Sequence, residues 1–261
     1  MQKVVFITGG TSGIGEALTR LFLKHGLKVY EMSRRESGVD GSVHIQGDVT
    51  KEEDLQKAIQ WIEEAGDCVD FLINNAGFGI SGAAEFADFD RALEQIDVNF
   101  LSATRVTSIF LPMLRKSQGR IIFTSSVAGA IPIPFQAFYS ASKAAINSYA
   151  MALANEVRPF GVSVTSIMLG DTRTGFTKAR KKNEAGDELY QGKISASVQK
   201  MEEDERNGMM PEKVAKLYWK VMRKKKVKPL YVTRFDYKLL VFLSRILPVR
   251  FVNWIVSKIY A

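Results

Sequence analysis

The sequence predicts an α/β fold: a doubly wound parallel sheet of about seven strands with helices on both faces. Three observations predict it. Seven short apolar, β-rich runs recur at Val4–Thr8, 27–33, 43–47, 69–73, 120–124, 162–167 and 230–232. Stretches with helical features separate most of them, the alternation that builds parallel sheets from βαβ units. The first such unit carries a glycine turn, Gly9-Gly10-Thr11-Ser12-Gly13-Ile14-Gly15, between its strand and its helix. With 261 residues, 46% hydrophobic and 25% charged, the chain suits one domain, 1–261, with a sizeable core.

The elements follow in order. Val4–Thr8 is a buried strand by its unbroken apolar run. After the glycine turn, Ile14, Ala17, Leu18, Leu21 and Phe22 recur at helical spacing, and Gly26 stops the helix. Glycines let a backbone approach a pyrophosphate, and the free N–H groups of a helix N-terminus favour its charge. The second strand ends in Ser33-Arg34-Arg35, where a fold that prefers NAD places a carboxylate for the ribose hydroxyls. A guanidinium grips a 2′-phosphate, so Arg34 points to NADP(H). NAD(H) is the alternative that nearby Glu31 and Glu36 keep open.

Thr50 and Glu53 read as a T-x-x-E capping box for a helix with Leu55, Ile59 and Ile62 inward. The strand at 69–73 ends in Asn74-Asn75-Ala76-Gly77, small residues that let a ligand lie close to backbone. One long helical segment, kinked at Pro112, is expected over 88–116, with Asn99 inside it. The strand at 120–124 leads into Ser125-Ser126, and a helix is expected over 139–160. Pro211 opens another helix. The intervening 171–210 is charged and lacks apolar periodicity, and its length suits a substrate loop or lid.

Tyr139 and Lys143, in YSASK, lie one turn apart on one helix face and reach the same small volume. An ammonium beside a phenol favours the phenolate, so the Tyr139 pKa is expected to fall toward working pH. Such a tyrosine gives a proton to a developing alkoxide or takes one from an alcohol. The single cysteine, Cys68, excludes a disulfide framework and a thiolate metal cluster, and suits a reducing cytoplasm. His25 and His44 fall in different elements, so no metal site is expected. The apolar start VVFIT is too short for a signal peptide, which again suits a cytoplasmic protein. A net charge of +8 suits anionic membrane, nucleic acid or a phosphorylated ligand. The basic clusters at 178–182 and 223–228 read as solvated faces, and no nucleic-acid partner is expected.

TGGTSGIG at 8–15, NNAG at 74–77, Asn99, Ser126 and YSASK at 139–143 resemble the short-chain dehydrogenase/reductase family in order and spacing over residues 1–175. The resemblance implies a Rossmann-type fold with Gly9, Gly13, Gly15 and Ile14 under the cofactor pyrophosphate, and Thr11 and Ser12 in the same turn. It implies that Asp48 and Val49 flank the adenine and that Asn75 and Gly77 lie along the cofactor. Ser126 stands thirteen residues before Tyr139, the family's spacing, and is chosen over Ser125. Asn99, Ser126, Tyr139 and Lys143 then form a catalytic tetrad. In that tetrad Ser126 is expected to position the carbonyl oxygen and Tyr139 to donate the proton. The resemblance further implies that Lys143 lowers the Tyr139 pKa and bonds the nicotinamide ribose, and that Asn99 holds a water linking Lys143 to solvent. The family's P-G-x-x-x-T reads Leu169-Gly170-Asp171-Thr172-Arg173-Thr174 here, with the proline lost and Asp171 new. Thr172 and Thr174 are the cofactor contacts this stretch implies. NAGFG, FYSASK and the C-terminal extension are similar to the branch with retinol and 17β-hydroxysteroid dehydrogenases and acyl-dihydroxyacetone-phosphate reductases. They imply a bulky apolar substrate of steroid, retinoid or acyl-ketone class. Family resemblance also implies a homodimer or homotetramer.

The expected activity is NADP(H)-dependent interconversion of a secondary alcohol and a carbonyl. A non-catalytic NADP(H)-binding regulator is the alternative, and the intact tetrad argues against it, because a sensor needs no proton donor. A membrane-surface protein is a third reading, drawn from 237–261. Lys238, Arg245, Arg250 and Lys258 punctuate that apolar extension, so it does not read as a transmembrane span. Two short amphipathic helices around Pro248 are expected, packed over the substrate cleft or laid in a membrane interface.

Overall fold

The computed structural model describes residues 2–260. Its strands are β1 (Val4–Thr8), β2 (Lys28–Ser33), β3 (Val43–Gln46), β4 (Phe71–Asn74), β5 (Ile80–Ser81), β6 (Arg120–Ser126), β7 (Ser163–Leu169), β8 (Lys181–Lys182) and β9 (Leu230–Val232). Seven of them form one sheet in the order β3-β2-β1-β4-β6-β7-β9, and β5 and β8 form a separate pair. Every neighbouring pair in the large sheet is parallel. The chain runs outward from β1 to β3, then returns to place β4 on the other side of β1. That reversal opens a crevice at the C-terminal ends of β1 and β4, the place where such sheets bind ligands.

Both faces of the sheet are covered, which is why its strands read as continuous apolar runs. Successive side chains of β1 alternate between the two faces. Phe6 joins Leu72, Ile121 and Phe123 in one core with helices α2 (Glu52–Glu64), α4 (Ser102–Ser117) and α5 (Ala137–Glu156). Val5 and Ile7 face the other core, with α1 (Gly13–Lys24) and α8 (Pro211–Met222). α1 stops just before Gly26, which takes a φ of +76° and whose N–H returns to the Leu23 carbonyl.

Three expectations need correction. The helix expected over 88–116 is two helices, α3 (Phe89–Ile96) and α4, joined by a π turn at Asp97–Leu101 that centres on Asn99. Asp88 caps α3 by accepting from the Asp90 and Arg91 N–H groups, and Pro112 lies within α4 without ending it. The Thr50/Glu53 capping box does not form. α2 starts at Glu52, and the Thr50 hydroxyl donates instead to Asp48 at 2.8 Å. The segment 171–210 is not a bare loop. It holds α6 (Phe176–Ala179), β8 and α7 (Lys193–Arg206), and β8 ties it to β5. Finally, α9 (Phe235–Ile246) and α10 (Val249–Tyr260) flank Pro248 as the sequence led us to expect, and Ala261 lies outside the described residues. Among the described residues no helix is long and apolar enough to cross a membrane.

Candidate active site

α5 begins two residues before Tyr139, so the phenol and the Lys143 ammonium stand on its first turns. Lys143 is 5% exposed and donates to the Thr124 carbonyl at 3.0 Å. β6 ends at Ser126, whose Oγ accepts from the Ala128 N–H at 3.1 Å. The neighbouring Ser125 hydroxyl is occupied, donating to the Lys143 carbonyl at 3.1 Å. The two serines therefore differ: Ser125 fastens strand to helix, and Ser126 faces Tyr139. Asn99 is buried in the π turn. It accepts from the Phe78 N–H at 2.9 Å and donates to the Phe78 carbonyl at 3.0 Å and the Ser142 hydroxyl at 3.2 Å. Its side chain holds the loop after β4 against α5. A π turn is a costly local departure of the kind that clusters at functional sites.

The electrostatics differ from the expectation for the pair. Burial pushes the Tyr139 phenol up to about 12, and the Ser126 hydroxyl offsets only part of this. Lys143 is itself pushed down to about 8 by burial. Its Nζ stands 5.8 Å from the Tyr139 ring centroid, so its charge does not overcome desolvation of the phenolate. Tyr139 thus holds its proton across physiological pH and is set to donate it.

A cavity of ≈ 520 Å³ joins Ser126, Tyr139 and Lys143 to the glycine turn, where Gly9, Ser12, Gly13 and Ile14 line it. Gly9 and Gly13 have φ of +67° and +52°, which glycine adopts without strain. A Cβ on Gly15 would lie 2.0 Å from the Gly9 carbonyl oxygen. Ser12, at the N-cap of α1, makes no side-chain cap, so the first N–H groups of the helix remain available toward the cavity. Those donors and that close backbone approach fit the pyrophosphate of a dinucleotide. Asn75 braces the turn through the Thr8 carbonyl at 3.1 Å, and Gly77, Thr172 and Thr174 line the cavity beyond it.

Not every expected cofactor residue reaches this space. Arg34 is exposed and does not line the cavity. Arg35 does, and its guanidinium donates to the Thr11 carbonyl at 2.7 Å. The Thr11 hydroxyl is turned to Ser33 at 3.0 Å. The Asp48 carboxylate accepts from the Thr50 N–H at 2.9 Å, and Val49 packs in the core, so neither lines the cavity. Glu31, the carboxylate that kept NAD(H) open, is fully buried against His44 Nδ1 at 2.8 Å. Sequence reasoning missed Phe176, whose ring lies 5.9 Å from that of Tyr139, and Glu205. The spacing of Ile194, Val198 and Met201 was the available signal for the helix that carries Glu205. Sequence reasoning also left open what α9 and α10 cover. Leu243, Val252, Ile255 and Ile259 from these helices, with Leu247 between them, line the same cavity.

A hydroxyl that keeps its proton, a second hydroxyl beside it and a buried ammonium behind them can bind a carbonyl oxygen and protonate it. Comparison with known proteins agrees with this chemistry. The family described as short chain dehydrogenase matches residues 3–185. A 3-ketodihydrosphingosine reductase of Bacteroides thetaiotaomicron is 37% identical over 227 residues, covering 85% of this chain and 84% of its own. An NADPH-dependent 1-acyldihydroxyacetone phosphate reductase of Schizosaccharomyces pombe is 35% identical over 66% of this chain and 61% of its own. The crystal structure of a short-chain dehydrogenase from Streptomyces avermitilis superposes with a TM-score of 0.82 at 26% identity, covering 93% of this chain and 92% of its own. The chain belongs to the short-chain dehydrogenase/reductase family, whose members are oxidoreductases of alcohol and carbonyl groups.

Proposed function

We propose that this oxidoreductase reduces the ketone of a long-chain lipid with NADPH. The observation that carries the substrate class is the apolar wall of α9 and α10, which continues the cavity from Tyr139. Such a wall suits alkyl chains through burial of apolar surface. The named activities of the two relatives, on a sphingoid ketone and an acyl ketone, support the same class. Within the family's steroid, retinoid and acyl-ketone range, the acyl-ketone class is thus preferred.

When bound, the nicotinamide supplies the hydride. Ser126 holds the carbonyl oxygen, and Tyr139 delivers its hydroxyl proton to that oxygen as it gains charge. Lys143, fixed by the Thr124 carbonyl, stands behind the phenol. Asn99 acts as a positioning residue through Phe78 and Ser142. The segment 171–210 serves as the substrate lid over one domain, 1–261. Preference for NADPH rests on Arg35, the guanidinium at the glycine turn, and on the sequestration of Glu31 by His44.

The test is NADPH and NADH oxidation with a panel of long-chain ketones, steroid ketones and retinal, using wild type, Arg34→Ala and Arg35→Ala. Long-chain ketones are expected to give the highest kcat/KM, with NADPH preferred. Arg35→Ala should weaken NADPH use by about tenfold or more and leave NADH use nearly unchanged, because a charge-assisted bond contributes about 1.5–3 kcal/mol. Arg34→Ala should leave the use of both cofactors nearly unchanged. Absence of ketone-dependent NADPH oxidation across the panel rejects the proposal.

The outer faces of α9 and α10 support peripheral contact of a cytoplasmic homo-oligomer with membrane. Phe235, Phe242, Ile246, Val249 and Trp254 are exposed there. Ten of the chain's 36 basic residues, against one of its 28 acidic ones, fall in 223–261. Apolar side chains rimmed by cations suit anionic headgroups. Salt-sensitive cosedimentation with anionic vesicles is expected, and it should be lost on deleting 237–261. Protein that stays in the supernatant at low salt would leave those faces to another subunit.

A further inference from the structure

β7 ends at Leu169 and α6 starts at Phe176, and the stretch between them belongs to neither helix nor sheet. Yet it runs along the cavity from its substrate side to the glycine turn. Gly170, Thr172 and Thr174 line the space, and a Cβ on Gly13 would lie 3.3 Å from the Thr174 Cβ. Two sets of contacts fix this stretch. On one side the Met209 N–H donates to the Asp171 carbonyl at 2.8 Å, and the Arg173 N–H donates to the Met209 carbonyl at 2.9 Å. On the other side the contacts come from the start of the C-terminal extension. The Gly170 N–H donates to the Oγ1 of buried Thr233 at 2.9 Å. The Tyr237 hydroxyl donates to the Asp171 carboxylate and accepts from the Asp171 N–H at 3.4 Å. Arg234 acts on the same carboxylate through space. The Tyr237 ring lies so close to Gly170 that a Cβ there would come within 2.1 Å of its Cε2.

The backbone carries strain at the same place. Arg234, between Thr233 and Tyr237, has φ of +55° and ψ of 154°, a region that only glycine adopts freely. Such an outlier persists where its surroundings over-determine it. Here Thr233 is fastened to Gly170 on one side. On the other, the Arg234 guanidinium pairs with Asp236 at 2.6 Å and stands 5.2 Å from the Tyr237 ring centroid. The sequence departs from the family pattern beside these contacts. The proline that would fix φ is Leu169, and Asp171 is the new residue.

We propose that Tyr237 is a positioning residue for hydride transfer: through Asp171 it fixes 170–174, and with that stretch the nicotinamide end of the cofactor. The contacts from 233–237 supply the restraint that the missing proline does not. The inference rests on the reading that a nicotinamide cofactor lies along this stretch. Tyr237 touches no reacting atom in this role. The C-terminal extension then has two tasks: its inner apolar wall faces the substrate, and the first turn of α9 aligns the cofactor.

The test reads the bound cofactor first and turnover second. Time-resolved fluorescence anisotropy of NADPH reports whether the reduced nicotinamide ring is held. In wild type the bound ring should move only with the protein. Tyr237→Phe keeps the aromatic ring against Gly170 and loses only the hydroxyl. In this variant a fast local motion of the nicotinamide should appear, with the NADPH Kd within about threefold of wild type, because the glycine turn still holds the pyrophosphate. Its kcat should fall about tenfold or more at nearly unchanged KM for the ketone, as misplacement of reacting groups dictates. Asp171→Ala should reproduce both changes, and the double variant should be no worse than either single one. Asp171→Asn, whose amide oxygen still accepts from Tyr237, should retain most of the wild-type kcat. A general loss of stability would not order the variants in this way. Wild-type anisotropy in Tyr237→Phe, a kcat within about twofold of wild type, or losses that multiply in the double variant overturn the inference. If Asp171→Ala does not fold, Tyr237→Phe and Asp171→Asn decide. Failure of the lipid-ketone reading shows separately, as wild type that binds NADPH and oxidises it with no ketone of the panel. The anisotropy comparison then decides alone.

Discussion

Tyr139→Phe is expected to bind NADPH as wild type does and to lose carbonyl reduction by at least ~10²-fold. The substitution removes only the hydroxyl. The ring remains to pack at 5.9 Å from Phe176, and Lys143 keeps its bond to the Thr124 carbonyl, so the cavity keeps its shape. The size of the loss follows from the proton. With the phenol pushed up to about 12, Tyr139 is a loaded donor at every physiological pH. Lys143 sets the upper limb of the profile. Pushed down to about 8, it is charged below that pH and neutral above it. Wild-type reduction should therefore hold level below about pH 8 and decline above, as the ammonium behind the phenol is lost. Stopped-flow reduction at saturating NADPH reads both features. A Phe variant with kcat near that of wild type would remove Tyr139 from the chemistry.

The legible parts of this molecule were those whose signal is local. The turn from an apolar strand through Gly9, Gly13 and Gly15 into the periodic helix at Ile14–Leu18–Phe22 announces itself within one βαβ unit. The two helices around Pro248 were legible for the same reason. Apart from the family resemblance that put it in the tetrad, Asn99 was visible as an anomaly, a poor helix former in a helical stretch, and the π turn that explains it leaves no periodicity of its own. α7 was hidden because seven of its 14 residues are charged, which masks the spacing of Ile194, Val198 and Met201. The structure sets Arg35, not Arg34, against the glycine turn. Beyond the end of β2 the chain bends, and nothing in Ser33-Arg34-Arg35 says which side chain returns to the Thr11 carbonyl. The Tyr139 pKa failed on burial. Spacing on a helix gives the neighbouring charge, but desolvation depends on what the rest of the fold lays over the phenol.

Gly15→Ala is expected to destabilise the fold by about 2–3 kcal/mol and to weaken NADPH binding more than tenfold, because overpacking displaces backbone and not a flexible side chain. An alanine Cβ at this position would lie 2.0 Å from the Gly9 carbonyl oxygen, 2.9 Å from its carbon and 2.8 Å from Asn75 Nδ2. Relief requires α1 to move away from the turn. That motion pulls the helix N-terminus from the cavity it opens on and strains the bracing of the turn by Asn75. Stability and cofactor affinity must then fall together. Gly26→Ala is the comparison that isolates the cause. Gly26 has φ of +76°, but a Cβ there would meet nothing within 4 Å, so alanine bears only the left-handed backbone penalty of about 1–2 kcal/mol. It lies at the far end of α1, and NADPH affinity should not change. Urea unfolding and fluorescence titration of NADPH on the two variants separate a general effect of helix destabilisation from loss of the phosphate cradle. If Gly15→Ala binds NADPH within twofold of wild type, the close approach of α1 to Gly9 is not what holds the pyrophosphate.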